Sequence, residues 1–421
     1  MNYYLQRITN IFYVFSLFMF YGCLYLYHKD SLKFIKDFCR DIEKFNYTYI
    51  KIFQGISCNS LLFSEEQKKF LLGYTNQVPY NKINNNIAVL EDLENNFQEI
   101  RIIKDKPINS GIVALVYEGY INNQKVVIKV LKKDVKNLLN KAWDDIDFIT
   151  KILNYIPYLR TFKNNKILND NKSMIMNQLD FNEELENLKL WKKYSDKVDY
   201  LEVPSYFEKY THFNKNILVM EFLRSIPFQK LTLSQKKNFS KQIIKTVFVG
   251  IFYYGILHGD LHSGNILFLD NKIGLIDFGI ASKLNRDEQN AIYIFYKNLL
   301  NKKTFEAAEL SLVFAEPKHV IENLNKHDKA TLLNKLKNNI DMNFTDDTNI
   351  LKFYFTTTSI FNSYKLVITK ALSNTLLTVL SGINISLECY QSKGKNPLKD
   401  YNDYSMKVIK ELIDEVDLSL D

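Results

Sequence analysis

Cysteine is scarce: four residues in 421 (Cys23, Cys39, Cys58 and Cys389), with no CxxC pair and no metal-ligand spacing. That excludes a disulfide framework and points to free thiols in a reducing compartment. Dense Lys/Arg blocks are missing, as are the usual nucleic-acid signatures, so nucleic acid is excluded as a partner. No HExxH occurs; His258 and His262 stand four apart, but Gly259 lies between them and Gly264 follows. A positional role in a loop suits them better than a metal pair. There is no internal repeat. What remains is an ordinary globular balance, 46% apolar and 24% charged, in a chain long enough for two or more lobes. A net charge of +8 suits anionic partners such as nucleotides or an acidic membrane surface without choosing between them.

The first thirty residues differ from the rest. Ile8 to Tyr27, "ITNIFYVFSLFMFYGCLYLY", carries no charge over twenty residues, enough for a helix to cross a bilayer. Arg7 precedes it, Lys29, Lys33, Lys36 and Arg40 follow it, and aromatic residues crowd both ends. No A-x-A-like cleavage site follows, which disfavours a signal peptide. A buried hairpin helix is the other reading. A membrane anchor over 1–30 is the expectation, with the main body on the cytosolic or matrix-like side, where nucleotides are.

Residues 31–55 have helical periodicity, with Phe34, Phe38, Ile42, Phe45 and Tyr49 on one stripe and Lys51 and Gln54 opposite if the helix continues. From periodicity alone, Lys51 and Gln54 are a solvated pair. Residues 99–131 read as a small antiparallel sheet, with "INNQK" as a hairpin turn and Lys129 on the strand Val126 to Val130. An Asn- and Lys-rich loop over 160–177 leads to the helix "DFNEELENLKLWKKY". At 100° steps Phe181, Leu185, Leu188 and Trp191 form its apolar stripe, and Glu184 falls inside that stripe. A buried carboxylate costs several kcal/mol without a partner, so Glu184 requires one; Lys129, on an apolar strand, requires one too. "NILVMEFL" (216–223) reads as a buried strand. Residues 234–257 and most of the chain beyond 284 read as helices, giving two lobes joined near Met220–Pro227.

The chemistry is concentrated in "ILHGDLHSGNILFLDNKIGLIDFGI", residues 256–280. Phosphoryl transfer needs a cradle and a cation for the phosphates, metal ligands, and a carboxylate near the acceptor. Asp260 can sit at the acceptor, Asn265 can offer its amide oxygen to Mg²⁺, and Asp277 can hold the metal on the phosphates. A strand pair between Asn265 and Asp277 brings both ligands to one end of a hairpin. HGDxxxxN followed by DFG at this spacing identifies a kinase-type nucleotide site.

These motifs resemble the UbiB/aarF-domain (ADCK-type) family of atypical kinase-like proteins, from about residue 45 to beyond 290. Lys51-Ile52-Phe53-Gln54 resembles the family's KxGQ motif and "NQVP" (76–79) its VP-containing segment. Lys129 in "VVIKV" matches the strand lysine, Glu184 the αC-type glutamate, and "VMEF" (219–222), with Glu221, the hinge. "HGDLHSGN" and "DFG" match the catalytic and metal motifs. No APE follows Gly279, as in this family. The resemblance implies an α+β, two-lobed, protein-kinase-like fold with extra N-terminal helices and a helical C-terminal lobe. Its expected parts are an anchor (1–30), a helical extension (31–98), an N-lobe (99–222) and a C-lobe (223–421).

The resemblance also implies a Lys129–Glu184 pair, ATP or ADP with Mg²⁺ as cofactors, and Lys51 and Gln54 lying over the nucleotide. It implies ATPase activity supporting coenzyme Q-like isoprenoid-lipid metabolism, with a membrane lipid or lipid-like molecule and lipid-biosynthesis proteins as partners. Three departures stand out. Phe53 replaces glycine in KxGQ, and Gln178-Leu179-Asp180 keeps one carboxylate of the family's ExD motif. The nucleotide loop, "INSGIVALVYEG" (108–119), is neither an alanine run nor a full glycine loop. Its candidate contacts are Asn109, Ser110, Gly111, Ala114 and Val116, although a plain β-turn would also use Asn, Ser and Gly. A small-molecule kinase of the aminoglycoside or choline type and a nucleotide-binding pseudokinase scaffold are the alternative readings.

Overall fold

Asn122 and Asn123 both adopt positive φ, 46° and 69°, the geometry that closes a tight hairpin between twisted strands. They join β3 (Ala114–Ile121) to β4 (Gln124–Leu131) in a computed structural model that describes residues 9, 12–16, 20, 31–52, 66–67, 70–71, 85–153, 172–173, 175–344, 350–391 and 396–420. The chain divides into two compact units, Met1–Glu186 with Ser205–Phe222, and Asn187–Pro204 with Leu223–Asp421.

In the first unit, β1 (Ile100–Ile103), β3, β4 and β6 (Ile217–Glu221) form an antiparallel sheet in that order, and β2 (Asn109–Ser110) pairs with β3. Alternation along β3 and β4 sends Leu115, Tyr117, Val126, Ile128 and Val130 to one buried cluster with Ile217, Val219 and, from α2 (Ile87–Asn96), Leu90 and Leu93. Each such side chain stabilises the fold by about 1.5–3 kcal/mol relative to exposure. α1 (Ser31–Asn46), α3 (Val135–Leu153), the first part of α4 (Phe181–Ser195), and α5 (Glu208–Phe213) complete this unit.

The continuous helix expected over 31–55 is broken. α1 ends at Asn46, Tyr47 is a turn, and residues 48–52 are helical again. The cause is Asn46: its Oδ1 accepts from the Thr48 N–H and hydroxyl while its amide donates to the Leu138 carbonyl on α3. A side chain that bonds its own successors interrupts the helix, which restarts one residue later. Tyr49 then donates to buried Asp145 at 2.6 Å.

The uncharged run 8–27 lies mostly outside the described residues. Among its described residues, Tyr13 stands 5.2 Å from the Phe45 ring and Val14 is 5% exposed. Among the described residues no helix is long and apolar enough to cross a membrane.

The second unit is mainly helical. α6 (Leu233–Val249) starts at a Thr232–Gln235 capping box and continues into a π-helical turn, Gly250–Tyr254. The helix expected to 257 stops there, because Gly255 takes φ +60°, which an L side chain resists. β7 (Ile256–His258) follows, then the hairpin β8 (Ile266–Phe268) and β9 (Ile273–Leu275). β9 also pairs in parallel with β5 (Leu201–Glu202), and β10 (Ala281–Lys283) pairs antiparallel with β7. Next come α7 (Arg286–Leu300), opened by an Asn285–Glu288 capping box, α8 (Thr304–Ser311), β11 (Ala315–Glu316), α9 (Lys318–Glu322), α10 (Lys326–Phe344), α11 (Ile350–Ser363), β12 (Val367–Ile368), α12 (Lys370–Tyr390) and α13 (Pro397–Leu420). α12 and α13 both pack along α6.

Candidate functional site

Lys129 projects from β4, and its ammonium contacts both oxygens of Glu184 on α4, at 2.7 and 2.8 Å. The two side chains are 11% and 2% exposed. Burying both charges is costly, and two short charge-assisted bonds offset that cost only while both partners remain. Phe181, one turn earlier on α4, places its ring 5.5 Å from the ammonium. Glu184 shares its buried face with Phe181, Leu185, Leu188 and Trp191, while Glu183 and Glu186 are exposed. Asp180 caps this helix by accepting from the Asn182 N–H at 3.0 Å. The remaining carboxylate of the ExD-like segment is therefore engaged in orienting α4, and Gln178 beside it is buried.

The nucleotide loop is a narrow hairpin. Ile108 N–H donates to the Val116 carbonyl and Gly111 N–H to the Ala114 carbonyl. A Cβ at Gly111 would lie 3.5 Å from the Ala114 oxygen, an ordinary contact, so the turn itself does not demand glycine. Asn109 spends its side-chain oxygen on the Ser110 N–H, and the Ser110 hydroxyl is buried with no hydrogen-bond partner among the described residues. At the expected hinge, Glu221 uses its N–H and one carboxylate oxygen on Ser205. Lys51 lies in the restarted helix 48–52 and is half-buried; Gln54 and "NQVP" lie outside the described residues.

In the second unit, Asp260, Asn265 and Asp277 share one hydrogen-bonded frame. The Asn265 amide donates to the Asp260 carbonyl at 3.0 Å, which turns its Oδ1 to the other edge. Asn265 N–H donates to His262 O, and its carbonyl accepts from the Ile276 N–H, tying the catalytic loop to the residue before Asp277. Asp277 has φ 66°, a left-handed conformation costing on the order of 1 kcal/mol for a non-glycine residue. Its carboxylate accepts from the Gly279 N–H at 3.2 Å. Strain held in this way belongs to a position the surroundings determine. β8 and β9 bring Asn265 and Asp277 to the same end of the hairpin, Ile266 opposite Leu275.

His258 is buried between Trp191 and Phe278, each ring centroid 5.8 Å from its own. Burial lowers its pKa, opposed by Asp260 and Asp277, so it packs as a neutral ring. His262 accepts at Nδ1 from the Gly264 N–H. His262 thus has the positional role in the loop that was expected of it, while His258 is packed in the core. One residue was not legible in the sequence: Asn187, on α4, whose amide donates to the Phe278 carbonyl at 3.0 Å. Its only sequence signal is a polar residue beside an apolar helix stripe.

Asn265 and Asp277 offer one amide oxygen and one carboxylate, hard donors suited to Mg²⁺. Among the described residues no group of three or more His, Cys, Asp or Glu could hold a metal alone. Such a sparse set fits Mg²⁺, which keeps waters and substrate phosphates in its shell.

The model of the ABC1 atypical kinase-like domain matches residues 74–311, more than half of the chain. An aarF domain-containing protein kinase of Arabidopsis thaliana, named chloroplastic, is 24% identical over 285 residues, 64% of this chain and 52% of its own length. A probable serine/threonine-protein kinase of Dictyostelium discoideum, abkB, is 25% identical over 339 residues, 74% of this chain and 49% of its own. A probable protein kinase UbiB of Photorhabdus laumondii is 25% identical over 218 residues, 48% of this chain and 39% of its own. The chain spans about half the length or less of these curated relatives.

Proposed function

The chain belongs to the family of ABC1 atypical kinase-like domains, and we propose that it is an Mg²⁺-dependent, ATP-binding kinase or ATPase acting on a lipid-like molecule at a membrane. The observation that carries the first half of this reading is the frame around Asp260, Asn265 and Asp277, in which the Asn265 amide is tied to the Asp260 carbonyl and the Asp277 carboxylate to the Gly279 N–H. In this reading Lys129, held by Glu184, contacts the α- and β-phosphates, and Asn265 and Asp277 hold the metal. Asp260 accepts a hydrogen bond from the attacking hydroxyl or water and orients it. The nucleotide, when bound, supplies the electrophilic γ-phosphoryl group.

The membrane half rests on the uncharged run 8–27 and on the basic residues that follow it, which suit an anionic lipid surface; the net charge of +8 is compatible with such a surface. The family resemblance of the motifs adds an isoprenoid-lipid role of the coenzyme Q kind to the proposal. The test is Mg²⁺-dependent ATP hydrolysis by the full chain, with and without anionic vesicles. Turnover that rises with vesicles supports the reading. Turnover that instead needs a small hydroxylated acceptor in solution supports a small-molecule kinase, and tight binding without turnover in any condition leaves a pseudokinase scaffold.

A further inference from the structure

α12 lies far beyond every motif in the sequence, yet it touches both strands that frame the candidate site. Thr375 and Thr378, both buried on this helix, behave differently. The Thr375 hydroxyl donates to the Ala371 carbonyl four residues back at 2.8 Å, the usual behaviour of a threonine inside a helix. The Thr378 hydroxyl donates to the carbonyl of His258, the last residue of β7, at 3.2 Å. One turn earlier, the Asn374 amide donates to the Ser282 hydroxyl on β10 at 3.3 Å. β7 and β10 are paired to each other, Ala281 opposite His258 and Ser282 opposite Leu257. β7 runs into Asp260 and β10 follows Asp277, so positions 374 and 378 hold the strands that carry both loops.

The third point on the same helix face is Gly382, again four residues on. A Cβ there would fall 2.6 Å from Val247 Cγ2 on α6 and 3.6 Å from Leu261 Cδ2, the residue after Asp260. A Cβ at 2.6 Å would force Val247 or α12 to shift, so glycine suits a helix lying this close, on the same face from which Thr378 reaches a main-chain carbonyl. Asn374, Thr378 and Gly382 recur at the four-residue step that aligns side chains on one helix face.

We infer that Asn374 and Thr378 are positioning residues, and that α12 sets the register of β7 against β10 and thereby the placement of Asp260 relative to Asp277. This assignment rests on the proposed kinase-type reading for its consequence in turnover, and on geometry alone for its structural part. The test therefore has two readouts on the full chain with Thr378→Val, Thr378→Ser and Asn374→Ala.

The first readout is amide hydrogen exchange over residues 256–283 without nucleotide. Thr378→Val, which keeps shape and removes the hydroxyl, raises exchange there by about tenfold. Thr378→Ser restores protection, and Asn374→Ala has a smaller effect centred on 281–283. The second readout is the split between kcat and KM: kcat falls about tenfold in Thr378→Val while KM for ATP stays within about twofold, with Thr378→Ser near wild type. Unchanged exchange over 256–283 in Thr378→Val, or a serine variant as damaged as the valine one, overturns the inference. So does faster exchange spread evenly over the second unit, which marks a merely structural threonine. If the wild-type chain hydrolyses no ATP, the functional proposal fails while the exchange data still decide the role of α12.

Discussion

The two units hold their candidate residues in different ways. In the first unit, Lys129 and Glu184 meet side chain to side chain, each carried on a regular element and each buried. In the second, Asp260, Asn265 and Asp277 are placed by bonds to main-chain groups: the carbonyls of Asp260, His262 and Asn265, and the N–H of Gly279. The first arrangement depends on charge balance, so loss of one partner injures the other. The second depends on backbone conformation, so its side chains can be changed singly without stranding a buried charge.

That contrast orders four expectations. The largest effect is on turnover: Asp277→Asn lowers Mg²⁺-dependent hydrolysis by about a thousandfold or more with little change in unfolding midpoint. A midpoint that falls as far as that of a Glu184 variant would erase the contrast. Second, Glu184→Gln removes the charged partner of the two short bonds to the Lys129 ammonium and destabilises the first unit by about 3–5 kcal/mol. The double change Glu184→Gln with Lys129→Met recovers much of this in urea denaturation; additive losses would show that the pair is not a charge-balance device.

Third, Lys132, three residues after Lys129, is the opposite of a paired lysine. It is buried 4.8 Å from the Tyr47 ring, and its ammonium has no hydrogen-bond partner among the described residues. Burial pushes its pKa down from 10.5 to about 8, against a smaller opposing pull from Glu43. Below pH 8 the group is protonated folded and unfolded, and the full burial penalty applies. Between pH 8 and 10.5 the unfolded chain holds the extra proton, so this group's contribution to stability rises with pH. Lys132→Met therefore stabilises the protein at pH 7 by about 1–3 kcal/mol, and the advantage shrinks toward pH 10.5. A constant difference between variant and wild type across that range contradicts the assignment. Smallest is Asn187→Ala, which removes the bond to the Phe278 carbonyl and costs about 1 kcal/mol. It shows as a few-fold weaker Mg²⁺ dependence; no change in that dependence removes Asn187 from the site.

Legibility in the sequence follows the same division. Glu184 was readable because helical periodicity puts a carboxylate where only apolar residues belong, and Lys129 because an alternating strand does the same for a cation. The hairpin was readable from Asn122 and Asn123, and the metal-motif strand pair from its length. The break after α1 was not, since it depends on Asn46 reaching the Leu138 carbonyl ninety-two residues away. Asn187 and Thr378 were hidden for a related reason. Periodicity can say that a residue is buried, but not which distant carbonyl its side chain will meet. The π-helical turn ending at Gly255 shows the limit in another form, an apolar run that continues as helix in pattern but stops at a residue with positive φ.

The central claim is tested most directly by titrating the full chain with ATP, with and without Mg²⁺, in wild type and in Asp277→Asn. The account predicts that Mg²⁺ tightens ATP binding by at least about tenfold in wild type and has no such effect in the variant. ATP binding that is indifferent to Mg²⁺ in both proteins, or no ATP binding at all, would contradict it.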